Sequence, residues 1–231
     1  MTFLTLDIET VAQERMRSTP RTWVADPDWC AEQFPKYTAD EIAGLARAGS
    51  VPVAATGVVP SLHPTTASVV QVSFGWRAGH DIERKVVQRD DYPGDGWEGA
   101  LLHDAIGILA GAVGKRSVVV TFNGKAFDLP ILRHRAALLG LCDLPRIPWR
   151  RLLYPYSDEQ HADLRLILGN DNRYAKGTLQ WWAEAFGVHA EEHGADVQGW
   201  VGAGNWQALR EYGQVEAQTL VELYECVQVV V

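Results

Sequence analysis

Asp7 and Glu9 stand two residues apart near the N-terminus, with Ile8 between them. The apolar and β-branched run Phe3 to Ile8 is typical of a β-strand. Residues i and i+2 of a strand point to the same side, so the two carboxylates should lie next to each other while Ile8 points into the core. Neighbouring carboxylates repel each other and are costly to bury, and a divalent cation, which prefers oxygen ligands, offsets that cost. A lone pair of this kind is common, and it is either an exposed strand end with two solvated acids or a metal site.

A further acid, Asp128, follows the end of a second expected strand, Ser117 to Phe122. Asn123 and Gly124 are typical turn residues, and Asp128 stands where the N-cap of a helix is expected. Sites in α/β folds lie beyond the carboxyl ends of strands. Asp128 is therefore either a helix cap or a third carboxylate of the site, and Asn123 is either a substrate contact or a turn residue. The intervening Lys125 is expected to be exposed.

Tyr212 and Glu216 stand four residues apart in the stretch Trp206 to Val231, which is expected to form a helix. Residues four apart share one face of a helix, so the phenol and the carboxylate should project together. Gly213 lies between them, and a glycine inside a helix costs about 1 kcal/mol relative to alanine. Its presence indicates close packing or the close approach of a substrate.

The remaining patterns predict the elements that must position these side chains. Their order favours an α/β fold, a mixed β-sheet flanked by helices, with an insertion after the first strand. The expected elements are strands at Ser68–Trp76 and Ile82–Gln88, which pair antiparallel, helices at Gly99–Val113, Asp128–Leu141 and Thr178–Phe186, and irregular chain at 11–67 and Pro145–Asp158.

The length and net charge of the chain limit the classes of protein to which it can belong. The chain has 231 residues and a formal net charge of −8. This suits a single domain, residues 1–231, and argues against a protein that coats nucleic acid by bulk positive charge. Residues 115–176 nevertheless carry 11 basic and 6 acidic side chains. This basic third is either a solvated surface or a stripe that faces phosphate groups.

The cysteines and the apolar stretches indicate the cellular compartment in which the protein is expected. Cys30, Cys142 and Cys226 are far apart in the sequence and do not resemble a disulfide framework or a zinc site, so we expect a cytoplasmic protein. The N-terminus lacks the pattern of a signal peptide. The longest stretch without an acidic or basic side chain, Ala48 to Trp76, contains three prolines, and we expect no membrane span.

The three motifs together resemble those of the DEDDy 3′–5′ exonucleases. Asp7-x-Glu9, Phe122-Asn-Gly-x-x-Phe-Asp128-Leu-Pro and Tyr212-x-x-x-Glu216 occur in the order of that family and on the same kinds of element. The chain is most similar to the stand-alone group that resembles the proofreading exonuclease domain of family B DNA polymerases. The resemblance extends from residue 3 to about residue 225 and implies an RNase H-like fold.

The resemblance also implies a role for each motif residue. Asp7, Glu9 and Glu216 would hold one divalent metal ion, Mg²⁺ or Mn²⁺, and Asp7 would be shared with a second ion. Asp128 would position that second ion through water, and Tyr212 would orient the attacking water. These roles amount to two-metal hydrolysis of a phosphodiester bond.

The substrate implied by the resemblance is the 3′ end of a nucleic acid, single-stranded DNA rather than RNA. Thr10, Asn123 and Phe127 are expected to contact it. Two other classes stay open: a catalytically weak or inactive nucleic-acid-binding module that keeps the fold, and an α/β interaction protein with solvated acids.

Glu216 departs from the family pattern, which has aspartate at this position. The extra methylene adds roughly 1.5 Å of reach, and octahedral Mg²⁺ tolerates misplaced ligands poorly. Three outcomes are open: a site that has adjusted, a preference for Mn²⁺, or a weakened enzyme. We expect activity to be retained. Neither Asp171 nor Asp196 stands four residues after a helical tyrosine, as a replacement would have to.

Two further features have alternative interpretations. The insertion at 11–67 is either a flap over the substrate, with Trp23 or Trp29 stacking on a base, or a packing element. His161 and Asp163 have no further histidine or cysteine nearby and are expected to have structural or substrate-side roles. His189 and His193 are expected to be solvated.

Overall fold

The computed structural model of the chain describes residues 2–12, 64, 67–170, 177–190 and 196–229. The chain divides into two compact units, Met1–Glu9 with Val69–Val231 and Thr10–Ser68. The bounds of the second unit nearly coincide with the insertion expected at 11–67, most of which lies outside the described residues. That the chain is one domain with an insertion, and that Trp23 or Trp29 stacks on a base, therefore stay predictions.

Five strands form one mixed sheet. They are β1 (Phe3–Ala12), β2 (Ala67–Ala78), β3 (Asp81–Gln88), β4 (Val118–Thr121) and β5 (His161–Asp163). Their order across the sheet is β3-β2-β1-β4-β5. Strand β4 pairs parallel with β1, where Phe3 lies opposite Val118, and with β5, where Val119 lies opposite His161. Strands β2 and β3 pair antiparallel, as the sequence predicts.

Seven α-helices are described. They are α1 (Trp97–Gly114), α2 (Asp128–Leu138), α3 (Trp149–Leu152), α4 (Leu164–Leu168), α5 (Leu179–Ala185), α6 (Val197–Ala203) and α7 (Trp206–Gln228). Among the described residues, no helix is long and apolar enough to cross a membrane.

The side chains of β1 point alternately into two hydrophobic clusters, one on each side of the sheet. Leu4, Leu6 and Ile8 pack in one buried cluster with residues of α1 and α2, whereas Phe3 packs in a second cluster with residues of α7. Because successive side chains of a strand point to opposite sides, Asp7 and Glu9 share the side of Phe3. The carboxylates of β1 therefore face the side of the sheet on which α7 packs.

Close packing brings α7 against the sheet. The hydroxyl of Thr5 on β1 donates to the carbonyl of Gly75 on β2 at 3.1 Å. A Cβ atom at Gly75 would lie 2.6 Å from the carbonyl oxygen of Ala217 on α7 and 2.8 Å from Thr5 Oγ1. Because only glycine leaves room for this approach, the backbone of α7 can pack directly on strands β1 and β2.

The expected fold class, a mixed α/β sheet flanked by helices, is confirmed. Some local expectations are wrong. The segment Pro145–Asp158 contains the short helix α3, and helix α2 ends at Leu138 rather than Leu141. Strand β5 and helix α6 were not expected. Each has at most seven residues, which is too short for a clear periodicity.

Candidate active site

Three carboxylates meet where β1 faces α7. Asp7, Glu9 and Glu216 each offer an oxygen atom within 4.8 Å of the others, and all three side chains are half-buried. Ile8, between the first two, is buried in the core. Two local periodicities, two residues on a strand and 3.6 on a helix, explain this convergence once α7 packs on the sheet.

Tyr212 contacts this acid cluster through its phenol. The hydroxyl donates to Glu216 Oε1 at 2.5 Å, one helical turn away. The side chain is only 4% exposed, and its ring lies 5.6 Å from the ring of Trp200 on α6. The second oxygen, Glu216 Oε2, is buried and has no hydrogen-bond partner among the described residues.

Asp128 contacts β1 from the first residue of helix α2. Its Oδ1 accepts a hydrogen bond from the backbone N–H of Ile8 at 3.2 Å, and the residue is 2% exposed. Of the two interpretations of Asp128, the helix cap is wrong: the N-cap of α2 is Phe127, and Asp128 is the first helical residue. The carboxylate accepts from a backbone donor of β1 instead of capping its own helix, and it therefore lies beside Asp7 and Glu9.

Burial and mutual repulsion hold protons on these acids. Burial, reinforced by the charge of Glu216, raises the pKa of Asp7 well above its ordinary value. Burial and the charge of Asp7 do the same to the pKa of Glu9 and of Asp128. The pKa of Glu216 rises to about 8, mainly by burial and then by the charge of Glu9. Four acids with raised pKa values at one place are typical of a functional site.

The acid cluster fits hard divalent cations. Every donor in it is a carboxylate oxygen, the ligand type that Mg²⁺ and Mn²⁺ prefer. The buried Glu216 Oε2 without a hydrogen-bond donor is an oxygen that a cation would satisfy. Asp7, Glu9 and Glu216 are therefore the residues that could hold an ion directly.

The loop after β4 is held by a carboxylate whose role the sequence did not reveal. Asp163, at the end of β5, accepts hydrogen bonds from the backbone N–H groups of Asn123 at 2.8 Å, Lys125 at 2.9 Å and Arg165 at 3.1 Å. Asn123 has φ +71°, a left-handed conformation that asparagine tolerates. The side chain of Asn123 in turn accepts from Arg165 at 2.9 Å.

Lys125 corrects an expectation. It is 9% exposed, not solvated. Its ammonium group donates to Asp158 at 2.9 Å and to the carbonyl of Ser157 at 3.1 Å. Lys125 therefore joins the loop after β4 to the chain just before β5.

Gly213 on α7 allows close packing against β2. A Cβ there would lie 2.2 Å from Gln71 Oε1. The Gln71 amide donates to Gln88 at 2.6 Å and to the carbonyl of Leu209 at 2.8 Å. Of the two interpretations of this glycine, close packing therefore applies, and Gln71 holds the turn of α7 just before Tyr212.

The other residues singled out from the sequence occupy varied places. Thr10 follows Glu9 on β1 and is half-buried, and Phe127 is half-buried against the core. His161 is buried between the Thr121 hydroxyl and the Leu152 carbonyl, at 2.8 and 2.7 Å, a structural position. His189 is exposed as expected, and Asp196 caps α6. His193 and Asp171 lie outside the described residues.

Comparison with solved structures agrees with this fold. The family B DNA polymerase from the hyperthermophilic archaeon Pyrobaculum calidifontis is similar with a TM-score of 0.52 and 19% sequence identity. The similarity covers 96% of this chain and 24% of that polymerase, so the chain spans about a quarter of its relative. No curated protein matches the chain.

A protein-family model matches residues 98–224, more than half of the chain. The matched residues include Asn123, Asp128, Tyr212 and Glu216, whereas Asp7 and Glu9 precede them. The model is described as a predicted 3′–5′ exonuclease related to the exonuclease domain of PolB. The resemblance identified from the three motifs is confirmed, and the chain belongs to this family of 3′–5′ exonucleases.

Proposed function

We propose that the protein hydrolyses phosphodiester bonds at the 3′ ends of single-stranded DNA with two divalent metal ions, Mg²⁺ or Mn²⁺. The observation that carries the proposal is the acid cluster, in which oxygens of Asp7, Glu9 and Glu216 lie within 4.8 Å of one another. Repelling carboxylates of this kind are stable when cations lie between them.

Each acid has its own part in this proposal. Asp7, Glu9 and Glu216 would hold the ions, and Asp128 would help to position the second one. Such ions would supply a hydroxide nucleophile and stabilise the leaving 3′ oxygen. Their charge also lets an acidic site accept a polyanion.

Tyr212 orients the attacking water. Burial and the charge of Glu216 raise the pKa of Tyr212 above its ordinary value, so the phenol stays protonated. It keeps donating to Glu216, and its oxygen lone pairs accept a hydrogen bond from water. A water that donates to this oxygen would keep a lone pair available for attack on the phosphorus.

Substrate contacts are assigned to Thr10, Asn123 and Phe127 in the same proposal. The preference for DNA over RNA, the location in the cytoplasm and the absence of a membrane partner are expectations from the sequence. The basic third, residues 115–176, supports a polyanionic substrate because it carries an excess of five basic side chains in a chain of net charge −8.

The experiment is a nuclease assay on a 5′-labelled single-stranded oligonucleotide, with Mg²⁺, Mn²⁺ or EDTA, for wild type and Asp7→Asn. We expect a ladder that shortens from the 3′ end, needs a divalent cation and is lost in the variant. Binding without cleavage would favour the inactive nucleic-acid-binding module, and no binding would leave an interaction protein. An RNA strand of the same sequence tests the preference for DNA.

Glu216→Asp tests the departure from the family pattern. In wild type the longer side chain reaches both the Tyr212 hydroxyl and the other acids. We therefore expect the shorter aspartate to lower the rate in this chain, because the site is built around glutamate. A large rise in rate, or a switch from Mn²⁺ to Mg²⁺ preference, would show instead that glutamate impairs the natural enzyme.

A further inference from the structure

Two buried glutamines lie side by side beneath the first turns of α7. Gln71 on β2 and Gln88 on β3 are directly opposite each other in the antiparallel pair, and each is 0% exposed. The Gln71 amide donates to Gln88 Oε1 at 2.6 Å. Glutamine is usually found at the surface, and its burial costs free energy unless its polar atoms are hydrogen-bonded. Apolar side chains would pack against a helix without this cost, so packing alone does not explain the pair.

Both glutamines are hydrogen-bonded to the backbone of α7. The Gln71 amide donates to the Leu209 carbonyl at 2.8 Å, and the Gln88 amide donates to the Trp206 carbonyl at 2.9 Å. Hydrogen bonds depend on direction as well as distance, whereas apolar contacts are non-directional. The two amides therefore fix the position of α7 along its axis and its rotation more tightly than apolar packing would.

Gln71 contacts α7 on both sides of Tyr212 in the sequence. Leu209, which accepts its hydrogen bond, precedes Tyr212 by three residues. Gly213 follows Tyr212, and a Cβ atom there would overlap the Gln71 side chain. Tyr212 is itself 4% exposed and donates to Glu216. Because a helix rises only about 1.5 Å per residue, a shift of this turn moves the Tyr212 hydroxyl directly.

A separate contact holds α7 next to Glu216. The Thr5 hydroxyl lies 3.4 Å from the carbonyl oxygen of Ala217, the residue after Glu216. Gly75 leaves room for that carbonyl, because a Cβ atom at Gly75 would lie 2.6 Å from its oxygen. The sheet therefore holds α7 at two places, and loss of the Gln71 contact should leave this second one intact, with Glu216 still in place.

We propose that Gln71 is a positioning residue for the proposed reaction. It fixes the turn of α7 that carries Tyr212, and so sets where the Tyr212 hydroxyl meets the attacking water. Gln88 supports Gln71 by accepting a hydrogen bond from the same amide group. The inference rests on the proposed function and adds to it a residue that touches neither the substrate nor the ions and acts through Tyr212.

Gln71→Met tests this role, because methionine has a similar length and lacks the amide donor. We expect kcat on a labelled single strand to fall about 10- to 100-fold, the effect of a small shift in a group that orients a reactant, with KM unchanged. Mn²⁺ binding, measured by calorimetry on the metal-free protein, should stay as in wild type because Glu216 stays in place. A folded Gln71→Met variant with wild-type kcat overturns the inference. A fall in Mn²⁺ affinity that matches the fall in kcat overturns it as well, because α7 would then have moved as a whole.

The same substitution in a Tyr212→Phe background shows whether Gln71 acts through the hydroxyl. Residues that act as one unit have non-additive effects, so Gln71→Met should lower kcat by no more than about threefold where the hydroxyl is already missing. A merely structural effect would lower kcat by the same factor in both backgrounds, and that result would overturn the inference.

Leu109→Ala is the control for loss of stability. Leu109 is buried in α1, in the cluster on the other side of the sheet from α7. We expect this variant to unfold in urea at least as easily as Gln71→Met and to keep the kcat and the Mn²⁺ affinity of wild type. If its kcat falls as far as that of Gln71→Met, loss of stability explains both variants and the inference is overturned.

Gln88→Met is the second variant, used if Gln71→Met does not fold. It removes the acceptor of Gln71 and the hydrogen bond to Trp206, and it should lower kcat by a smaller factor with Mn²⁺ affinity unchanged. Wild-type kcat in Gln88→Met then overturns the inference. A wild-type protein that cleaves no strand overturns the proposed function itself, whereas a wild type that cleaves no faster than Gln71→Met overturns the inference alone.

Discussion

The Asp128 carboxylate accepts a hydrogen bond from the backbone N–H of Ile8 across 120 residues of sequence. Ile8 lies between Asp7 and Glu9, so this bond ties helix α2 to the stretch of β1 that carries the acid cluster. The Asp128 carboxylate therefore has two effects on stability. Its charge adds to the repulsion within the acid cluster, which destabilises the fold, whereas its hydrogen bond satisfies a buried backbone donor, which stabilises it.

Substitutions at Asp128 should separate the two effects. Asp128→Asn keeps an oxygen that accepts from Ile8 and removes one of the repelling charges, so the metal-free protein should be at least as stable as wild type. Asp128→Ala leaves a buried donor without a partner and should lower the free energy of unfolding by about 1–3 kcal/mol. Urea unfolding in EDTA measures both. Equal destabilisation by the two variants would contradict the role of the hydrogen bond.

Activity should respond differently from stability. Both Asp128 variants lack the charge that we assign to positioning the second ion, and the loss of such positioning groups costs roughly 10- to 100-fold in activity. We expect Asp128→Asn to fold well and to cleave labelled single strands about 10- to 100-fold more slowly. Near-normal cleavage by this variant would remove Asp128 from the proposed mechanism.

Metal-free stability should fall as the pH rises. The pKa of Glu216 is about 8 in the folded chain and about 4.3 in an unfolded one, so the folded state binds this proton more tightly. Stability gained from protonation is therefore present below about pH 4 to 5 and is lost as the pH rises through about 8. Divalent cations should flatten this dependence, because they replace the protons.

Chemical unfolding between pH 5 and pH 8 measures this effect, with EDTA or with Mg²⁺. The matched control is Glu216→Gln, which keeps the size of the side chain and cannot ionise. The difference between wild type and this variant isolates Glu216 from other titrating groups. A wild-type protein that gains stability relative to Glu216→Gln as the pH rises in EDTA would contradict the prediction.

Sequence reasoning succeeded where a local period decides the direction of a side chain. The two-residue period of β1 predicts that Asp7 and Glu9 lie together, and the four-residue spacing predicts the Tyr212–Glu216 pair. Both pairs are observed, at 4.8 Å or less between the cluster oxygens and 2.5 Å within the second pair. These contacts need no knowledge of the rest of the fold.

Sequence reasoning failed where a residue's contacts are made by segments far away in the chain. The local sequence cannot decide whether Asp128 is a helix cap or a carboxylate of the site, and it indicates an exposed Lys125. Their partners, Ile8 and Asp158, lie 120 and 33 residues away. The sequence gives no sign of the role of Asp163, because a three-residue strand carries no pattern that would reveal which loop its last residue holds.

Gly213→Ala should destabilise the protein although alanine favours helices. The new Cβ would displace Gln71 and its hydrogen bonds to Gln88 and Leu209, at a cost of about 1–3 kcal/mol. Gly111→Ala in α1 is the matched control, because a Cβ there meets nothing within 4 Å, and it should stabilise by up to about 1 kcal/mol. Thermal unfolding of both variants tests this, and a Gly213→Ala variant as stable as Gly111→Ala would refute it.

His161 should make the protein sensitive to acid. Its Nδ1 meets the Leu152 carbonyl, so that nitrogen carries the proton, and Nε2 accepts from the Thr121 hydroxyl. Burial lowers the pKa of His161 to about 4, against about 6.5 in an unfolded chain. The unfolded chain therefore binds this proton first, and stability should be lost as the pH falls from about 6.5 towards 4.

The non-titrating variant His161→Gln separates this effect from the opposite one of the acid cluster. The variant will be less stable than wild type, because glutamine cannot reach both hydrogen-bond partners of the imidazole ring. The informative quantity is the slope of its free energy of unfolding against pH. In urea unfolding between pH 4 and pH 7, wild type should lose stability more steeply with acid than His161→Gln. Equal slopes of stability against pH would mean that His161 has an ordinary pKa. The interpretation that a buried neutral ring joins β5 to Leu152 would then be wrong.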